Sequence, residues 1–270
     1  MSNLIKAKTS TAAWMLGLGH LRRQAEWRDY NLILEIEKPL DLPPAEKKIA
    51  EELGGFLLAH GKKPISTVIN TIFPAALYNG VDAEALFRDY MEIAPQLRCH
   101  PDNKKWGTYF MRLMARTASD GREIRPLEEL IKRLRRQAKT KAPKRAWYEL
   151  SLVDQFSEIP IYDNLSDPGI MMGGPCLSHV SFKLKADRSL ILTAFYRSHY
   201  YIERTLGNLY GLALLQEFVA KEAGLVPAEL VCHSTMAQID HTAPLTKAKV
   251  GALIGRCQNL MPVGTPDGSR

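Results

Sequence analysis

GGPCLSHVSFKL (173–184), KADRS (185–189), LILTAFY (190–196) and YRSHYYIERTLGNLYGLALLQEF (196–218) together decide how this chain folds. From Ser178 to Leu184 apolar and polar residues alternate with the period of two of a half-buried strand. KADRS is a polar turn and LILTAFY a second β-rich run, so the pattern predicts a hairpin. A turn centred on Ala186 and Asp187 sets opposed residues to numbers that total roughly 373. Cys176 then faces Arg197 to within about two residues. A guanidinium beside a thiol favours the charged sulfur, which is the nucleophilic form. The planar fork of Arg197, joined by the hydroxyl of Ser198, also suits a phosphate monoester. The plainer reading of Cys176 is a small apolar residue packed at a strand edge.

Working outward, residues 11–29 read as a helix, YNLILEIEKP (30–39) as a strand, and PPAEKK (43–48) as the opening of a helix that runs through Gly54 and Gly55. Two more helices are expected over Ile65–Leu77 and Ala83–Glu92, with a break at Asn79-Gly80. IRPLEELIKRLRRQ (124–137) places Leu127, Leu130, Ile131 and Leu134 on one helical stripe, and WYELSLVD (147–154) follows as a strand. The connection 154–175 is rich in Pro, Gly and Asp, and leads straight into Cys176 as a site wall or a plain surface loop. A helix over Leu209–Ala223 is closed by Gly224, AELVCHSTMAQID (228–240) is the last strand, and MPVGTPDGSR (261–270) reads as a tail.

At Pro175-Cys176, Arg197-Ser198 and Asn208 the chain resembles thymidylate synthase, the folate-dependent family that methylates C5 of dUMP. That family sets a proline and the catalytic cysteine before a hairpin. An Arg-Ser phosphate pair and a base-reading asparagine at the head of a long helix follow. Without a gap after Arg197, Asn208 falls on the asparagine and Ala213, Leu214 and Leu215 on its Ala-Leu-Leu run. KWGTYFMRLMARTASDGREIRPLEELIKRLRRQ (105–137) is similar to the segment holding the family's Tyr-Gly pair, which brings in Tyr109 as a second catalytic residue. APKRAWYEL (142–150) is similar to its double-arginine strand. Only STVINTIFPAALY (66–78) hints at the family before residue 106. The resemblance is clearest over 106–241.

The resemblance implies an α+β fold of one domain over 1–270. Its central sheet would be mainly antiparallel, covered by helices on one face and paired with a second copy through the other. In that homodimer Lys144 and Arg145 would reach the partner's phosphate. It implies a pyrimidine nucleoside monophosphate as substrate and 5,10-methylenetetrahydrofolate as cofactor. Cys176 would add to C6 of the base, with methylation or hydroxymethylation at C5, and Asn208 would read a uracil edge, since a carboxamide both donates and accepts.

Several working positions depart from the family. Leu177, Ser181 and Tyr200 stand where it has histidine, glutamine and aspartate. Gln238 and Asp240 replace the His-x-Tyr pair that reads the 3′-hydroxyl, and Asn70 or Thr71 stands where a catalytic glutamate is expected. On a strand Gln238 and Asp240 share a face, and a carboxylate at 240 suits the diol of a ribose. His179 and His199 lie near the site as replacements for a lost proton-handling group, or as structural histidines. The departures keep a second reading open, a nucleotide-binding sensor without folate chemistry, and a third, nucleophilic chemistry at C6 without one-carbon transfer.

Composition agrees with an ordinary soluble globular protein: 46% hydrophobic and 24% charged over 270 residues. A net charge of +7 favours an anionic partner. The run 132–145 holds eight Lys or Arg, yet no aromatics are interleaved for base stacking, so nucleic acid is not the expected partner. Cysteines at 99, 176, 232 and 257 lack metal or disulfide spacing, and no run is long and apolar enough to span a bilayer. A cytoplasmic location, without metal or membrane, is the expectation.

Overall fold

The computed structural model describes residues 3–78, 80, 83–100, 103, 107–117, 121–152 and 175–261. The connection over 154–174 and the tail from 262 lie outside them. β1 (Asn3–Ala7) leads into α1 (Ser10–Arg22), a 3-10 turn (Ala25–Trp27) and β2 (Arg28–Ile36). Three helices follow, α2 (Pro44–Ala59), α3 (Ile65–Ile72) and α4 (Ala83–Cys99), then α5 (Tyr109–Met114) and a small ribbon of β3 (Arg116–Thr117) and β4 (Glu123–Ile124). α6 (Pro126–Ala138), β5 (Tyr148–Ser151), β6 (Leu177–Leu184), β7 (Ser189–Tyr196) and β8 (His199–Tyr200) lead to a π-helical turn (Tyr201–Thr205). That turn opens α7 (Leu206–Ala223), and β9 (Val226–Gln238) and α8 (Lys247–Leu260) complete the chain.

The main sheet runs β1-β2-β9-β7-β6-β5, with β8 also on β9. Its pairings are mixed rather than mainly antiparallel. β2·β9, β5·β6 and β6·β7 are antiparallel, while β1·β2, β7·β9 and β8·β9 are parallel. The reason is α7. A helix between two neighbouring strands returns the chain to the same end of the sheet, and a parallel pair needs such a crossover.

The alternation seen in the sequence becomes the two faces of the sheet. Leu32, Leu34, Ile36, Val180, Phe182, Leu190, Leu192, Leu230 and Cys232 are buried on one face, where α1 and α7 pack. At about 25 cal/mol per Å² of apolar surface removed from water, each buried leucine or phenylalanine contributes roughly 1.5–3 kcal/mol. The other face carries Ile33, Glu35, Val231, His233, Thr193 and Phe195 in register. On it Phe195 and His233 meet edge to face with ring centroids 5.0 Å apart. Glu149 there accepts hydrogen bonds from Ser181 at 3.0 Å and Lys183, and lies 2.7 Å from His179.

α7 is held close to its neighbours by glycine. A Cβ at Gly207 would stand 2.7 Å from Val68 Cβ, and one at Gly211 would stand 3.0 Å from the Ile69 carbonyl, so only glycine lets α3 approach. α7 ends as expected at Gly224, whose φ of 69° is left-handed and whose N–H caps the helix. The helix expected over 11–29 stops at Arg22, the one over 65–77 stops at Ile72 before Pro74, and the one from Ala83 runs on to Cys99 through Pro95. Among the described residues no helix is long and apolar enough to cross a membrane.

Candidate active site

The hairpin register places Cys176. Leu177 pairs with Tyr196, and the Arg197 N–H donates to the Cys176 carbonyl at 2.9 Å, so Cys176 and Arg197 are opposed as the sequence requires. An irregularity between Leu177 and His179 shifts the register by one, and Cys176 lines a cleft. From α5, the Tyr109 hydroxyl accepts the N–H groups of Cys176 at 3.2 Å and Leu177 at 3.4 Å, which fixes the backbone under the thiol. Burial pushes the Tyr109 hydroxyl up to about 12, so it is a hydrogen-bonding phenol at neutral pH.

The cleft has a volume of about 800 Å³, in the range of small-molecule sites, roughly 300–1,000 Å³. Tyr109, Cys176, Ser198, Asn208, Gln238 and Asp240 all line it. Arg197 stands outside its wall, with Nε donating to the Pro175 carbonyl at 3.0 Å. Lys144 and Arg145 do not line it either; both are exposed just before β5, with the Lys144 ammonium 4.5 Å from the Trp147 ring centroid.

Arg197 does favour the charged sulfur as expected, but it does not decide the Cys176 pKa. Burial raises it, and this outweighs the opposing pull of Arg197 and Arg204. The resting thiol is therefore protonated. Gln238 and Asp240 do not share a strand face, because β9 ends at Gln238. Gln238 Oε1 accepts from Arg28 Nε at 3.1 Å, across the β2·β9 pair. Asp240 accepts from the Ile202 N–H at 2.8 Å and the Glu203 N–H at 3.0 Å, capping the π-helical turn that opens α7. Trp14 grips the same turn, its Nε1 donating to the Tyr201 carbonyl at 2.6 Å. Burial pushes the Asp240 carboxyl up to about 6.

Asn208 is nearly buried, and its Nδ2 lies 3.0 Å from His199 Nε2. His199 Nδ1 lies 2.9 Å from Ser234 Oγ, and the imidazole stacks on Tyr196 at 4.0 Å between centroids with 3° between planes. Burial pulls the His199 pKa down to about 3, so the ring is neutral and is no acid at physiological pH. His179 lies on the open sheet face against Glu149, away from the cleft.

No family model matches this chain. Over 68 residues it is 40% identical to a protein of Methanococcoides burtonii named "Putative thymidylate synthase". The match takes in 25% of this chain, and the chain spans 31% of that relative's length.

Sequence reasoning missed part of the wall. Arg28, Lys63, Arg112 and Arg204 bring cations to the cleft, and Glu203 and His241 line it too. Arg204 lies four residues before Asn208, a spacing that puts both on one helical face once the helix is taken back to Tyr201. Of the two candidates on α3, Thr71 lines the cleft; its hydroxyl donates to the Val68 carbonyl at 2.7 Å. Among the described residues no group of three His, Cys, Asp or Glu side chains is placed to hold a metal ion.

Proposed function

We propose that this protein is a thymidylate-synthase-like transferase of one domain over 1–270, acting at C5 of a uracil nucleotide through a covalent adduct of Cys176 with C6. The observation that carries the reading is one cleft lined by a hairpin-end cysteine, Ser198 and a helix-borne asparagine, with Arg197 opposed to the cysteine just outside its wall. The partial match to the Methanococcoides burtonii protein supports it.

On this reading the Cys176 thiol loses its proton as its sulfur bonds to C6, and the electron pair of the C5–C6 bond moves towards C5 and O4. Asn208 hydrogen-bonds the N3–O4 edge and stabilises the charge that gathers there. Once that pair has bonded the new carbon, loss of the C5 proton to solvent frees the C–H pair, which re-forms the C5–C6 double bond and expels sulfur as a thiolate that takes back a proton. Arg197 and Ser198 hold the 5′-phosphate. A second copy packed through the open sheet face would bring Lys144 and Arg145 to that phosphate. 5,10-Methylenetetrahydrofolate, implied by the resemblance, supplies the one-carbon unit. The cleft has room beyond a nucleotide, and Lys63 and Arg112 would hold carboxylates of its tail. With Asp240 engaged by two backbone N–H groups, the ribose diol loses the partner expected for it.

The test is intact-protein mass spectrometry after incubation with 5-fluoro-UMP or 5-fluoro-dUMP, with and without methylenetetrahydrofolate. A folate-dependent adduct lost in Cys176→Ser is the expected result and also names the sugar. The buried, protonated thiol favours one other reading, a nucleotide sensor. Calorimetric binding of a nucleotide with no adduct under any condition would select it and overturn the transferase.

A further inference from the structure

Uracil and cytosine present opposite orders at positions 3 and 4. Uracil offers a donor at N3 and an acceptor at O4; cytosine offers an acceptor at N3 and a donor at its amino group. A carboxamide that turns over freely reads both, because rotation by 180° exchanges its oxygen and nitrogen. An asparagine therefore distinguishes the two bases only if something on its far side decides which way it lies.

Here something does. Asn208 Nδ2 lies 3.0 Å from His199 Nε2, the arrangement in which Nε2 accepts and the ring proton sits on Nδ1. In that tautomer Nδ1 donates to Ser234 Oγ, 2.9 Å away. The ring cannot swing away, being flat on Tyr196 and edge-on to Tyr201 at 5.8 Å between centroids. One Asn208 N–H is thereby consumed, while its oxygen and its other N–H remain for the cleft in a single order. The opposite order would set the Asn208 oxygen against an unprotonated imidazole nitrogen, acceptor against acceptor.

We propose that His199 is a positioning residue that selects the pyrimidine, its tautomer fixing the Asn208 carboxamide in the order a uracil edge takes. The proposal rests on the uracil-nucleotide reading above and deepens it. His199 touches no reacting atom; it acts through Asn208.

The experiment is calorimetric affinity for UMP, dUMP, CMP and dCMP in the wild-type chain and in His199→Phe, His199→Gln and Ser234→Ala. Phenylalanine keeps a flat ring on Tyr196 and removes the acceptor. Glutamine restores an acceptor oxygen. The wild type is expected to prefer the uracil nucleotide about 10–100-fold, the scale set by mispairing buried polar groups. His199→Phe should collapse that ratio to within about threefold, His199→Gln should keep most of it, and Ser234→Ala, which frees the ring proton, should lower it. A purely structural histidine would weaken both bases together and leave the ratio alone. An unchanged ratio in folded His199→Phe overturns the proposal. If that variant does not fold, equal ratios in Ser234→Ala and the wild type overturn it instead. A wild-type preference for cytosine does the same. Nitrogen-15 imidazole spectra of the unliganded protein give an independent readout: a proton on Nε2 refutes the lock even where nucleotides bind. Binding of no pyrimidine nucleotide, with the Nδ1 tautomer observed, would overturn the nucleotide reading and, with it, the selection.

Discussion

Asp240 makes stability fall as pH rises through the weakly acidic range, and replacing it by asparagine should expose that dependence. Its carboxyl is held at about 6 by burial, against an ordinary value of 3.8, so the folded state keeps a proton that the unfolded chain gives up. The sign follows from linkage. A carboxyl with a raised folded pKa contributes stability that is fully present below 3.8 and lost as pH climbs through about 6. At 1.36 kcal/mol per pKa unit the contribution is about 3 kcal/mol. Asp240→Asn cannot titrate, and near pH 4 it replaces a protonated carboxyl of the same shape, either side chain setting a donor against one of the two backbone N–H groups. The cost of the substitution should therefore be greatest near pH 4 and smaller by about 3 kcal/mol near pH 7. Urea unfolding of both proteins from pH 4 to 7 measures it, because other titrating groups cancel in the difference. A difference that stays flat, or that grows with pH, would refute burial as the dominant influence on this carboxylate.

Other expectations follow from the packing and the charges. Gly207→Ala forces a methyl against Val68 and should lower stability by roughly 1–3 kcal/mol in urea melts. Gly251→Ala, in α8 with nothing within 4 Å of the new methyl, should raise it by about 0.5–1 kcal/mol. Iodoacetamide should label Cys176 slowly at pH 7 and faster with rising pH, with no plateau below 9, and Cys176→Ser should identify the labelled peptide by mass. Arg204→Met should slow that labelling further at any fixed pH, because one of the two cations favouring the thiolate is gone.

The hairpin was legible because its chemistry is local. A period of two and a polar turn fix the partners of a tight antiparallel pair to within a residue, and Cys176 and Arg197 fell where arithmetic put them. The parallel pairing of β7 with β9 was not legible, since it depends on where α7 returns the chain and no strand pattern records that. β1 is five residues with alternate side chains half exposed, too short to announce itself. α8 did carry a signal: Val250, Leu253, Ile254 and Cys257 form a buried stripe that its glycines obscured. Asp240 was misread because the shared-face argument holds only while the strand continues, and β9 stops two residues earlier.

The cleft also explains why one arginine beside the cysteine is not enough. On the proposed reading, a phosphate dianion drawn to Arg197 would cancel the field that arginine exerts on sulfur, so that cation would cease to favour a thiolate once a nucleotide is bound. Burial already works against the charge, and adding an anion nearby deepens the penalty. A second positive group must act on the sulfur, and Arg204 is so placed: it lines the cleft, acts on both Cys176 and Tyr109, and rides on the same helical entry as Asn208. That entry is fixed from outside the helix, by the Asp240 carboxylate and the Trp14 indole. Arg204 and Asn208 thus share one mount. A perturbation that loosens the π-helical turn should impair sulfur reactivity and base selection together, although neither Asp240 nor Trp14 touches either group.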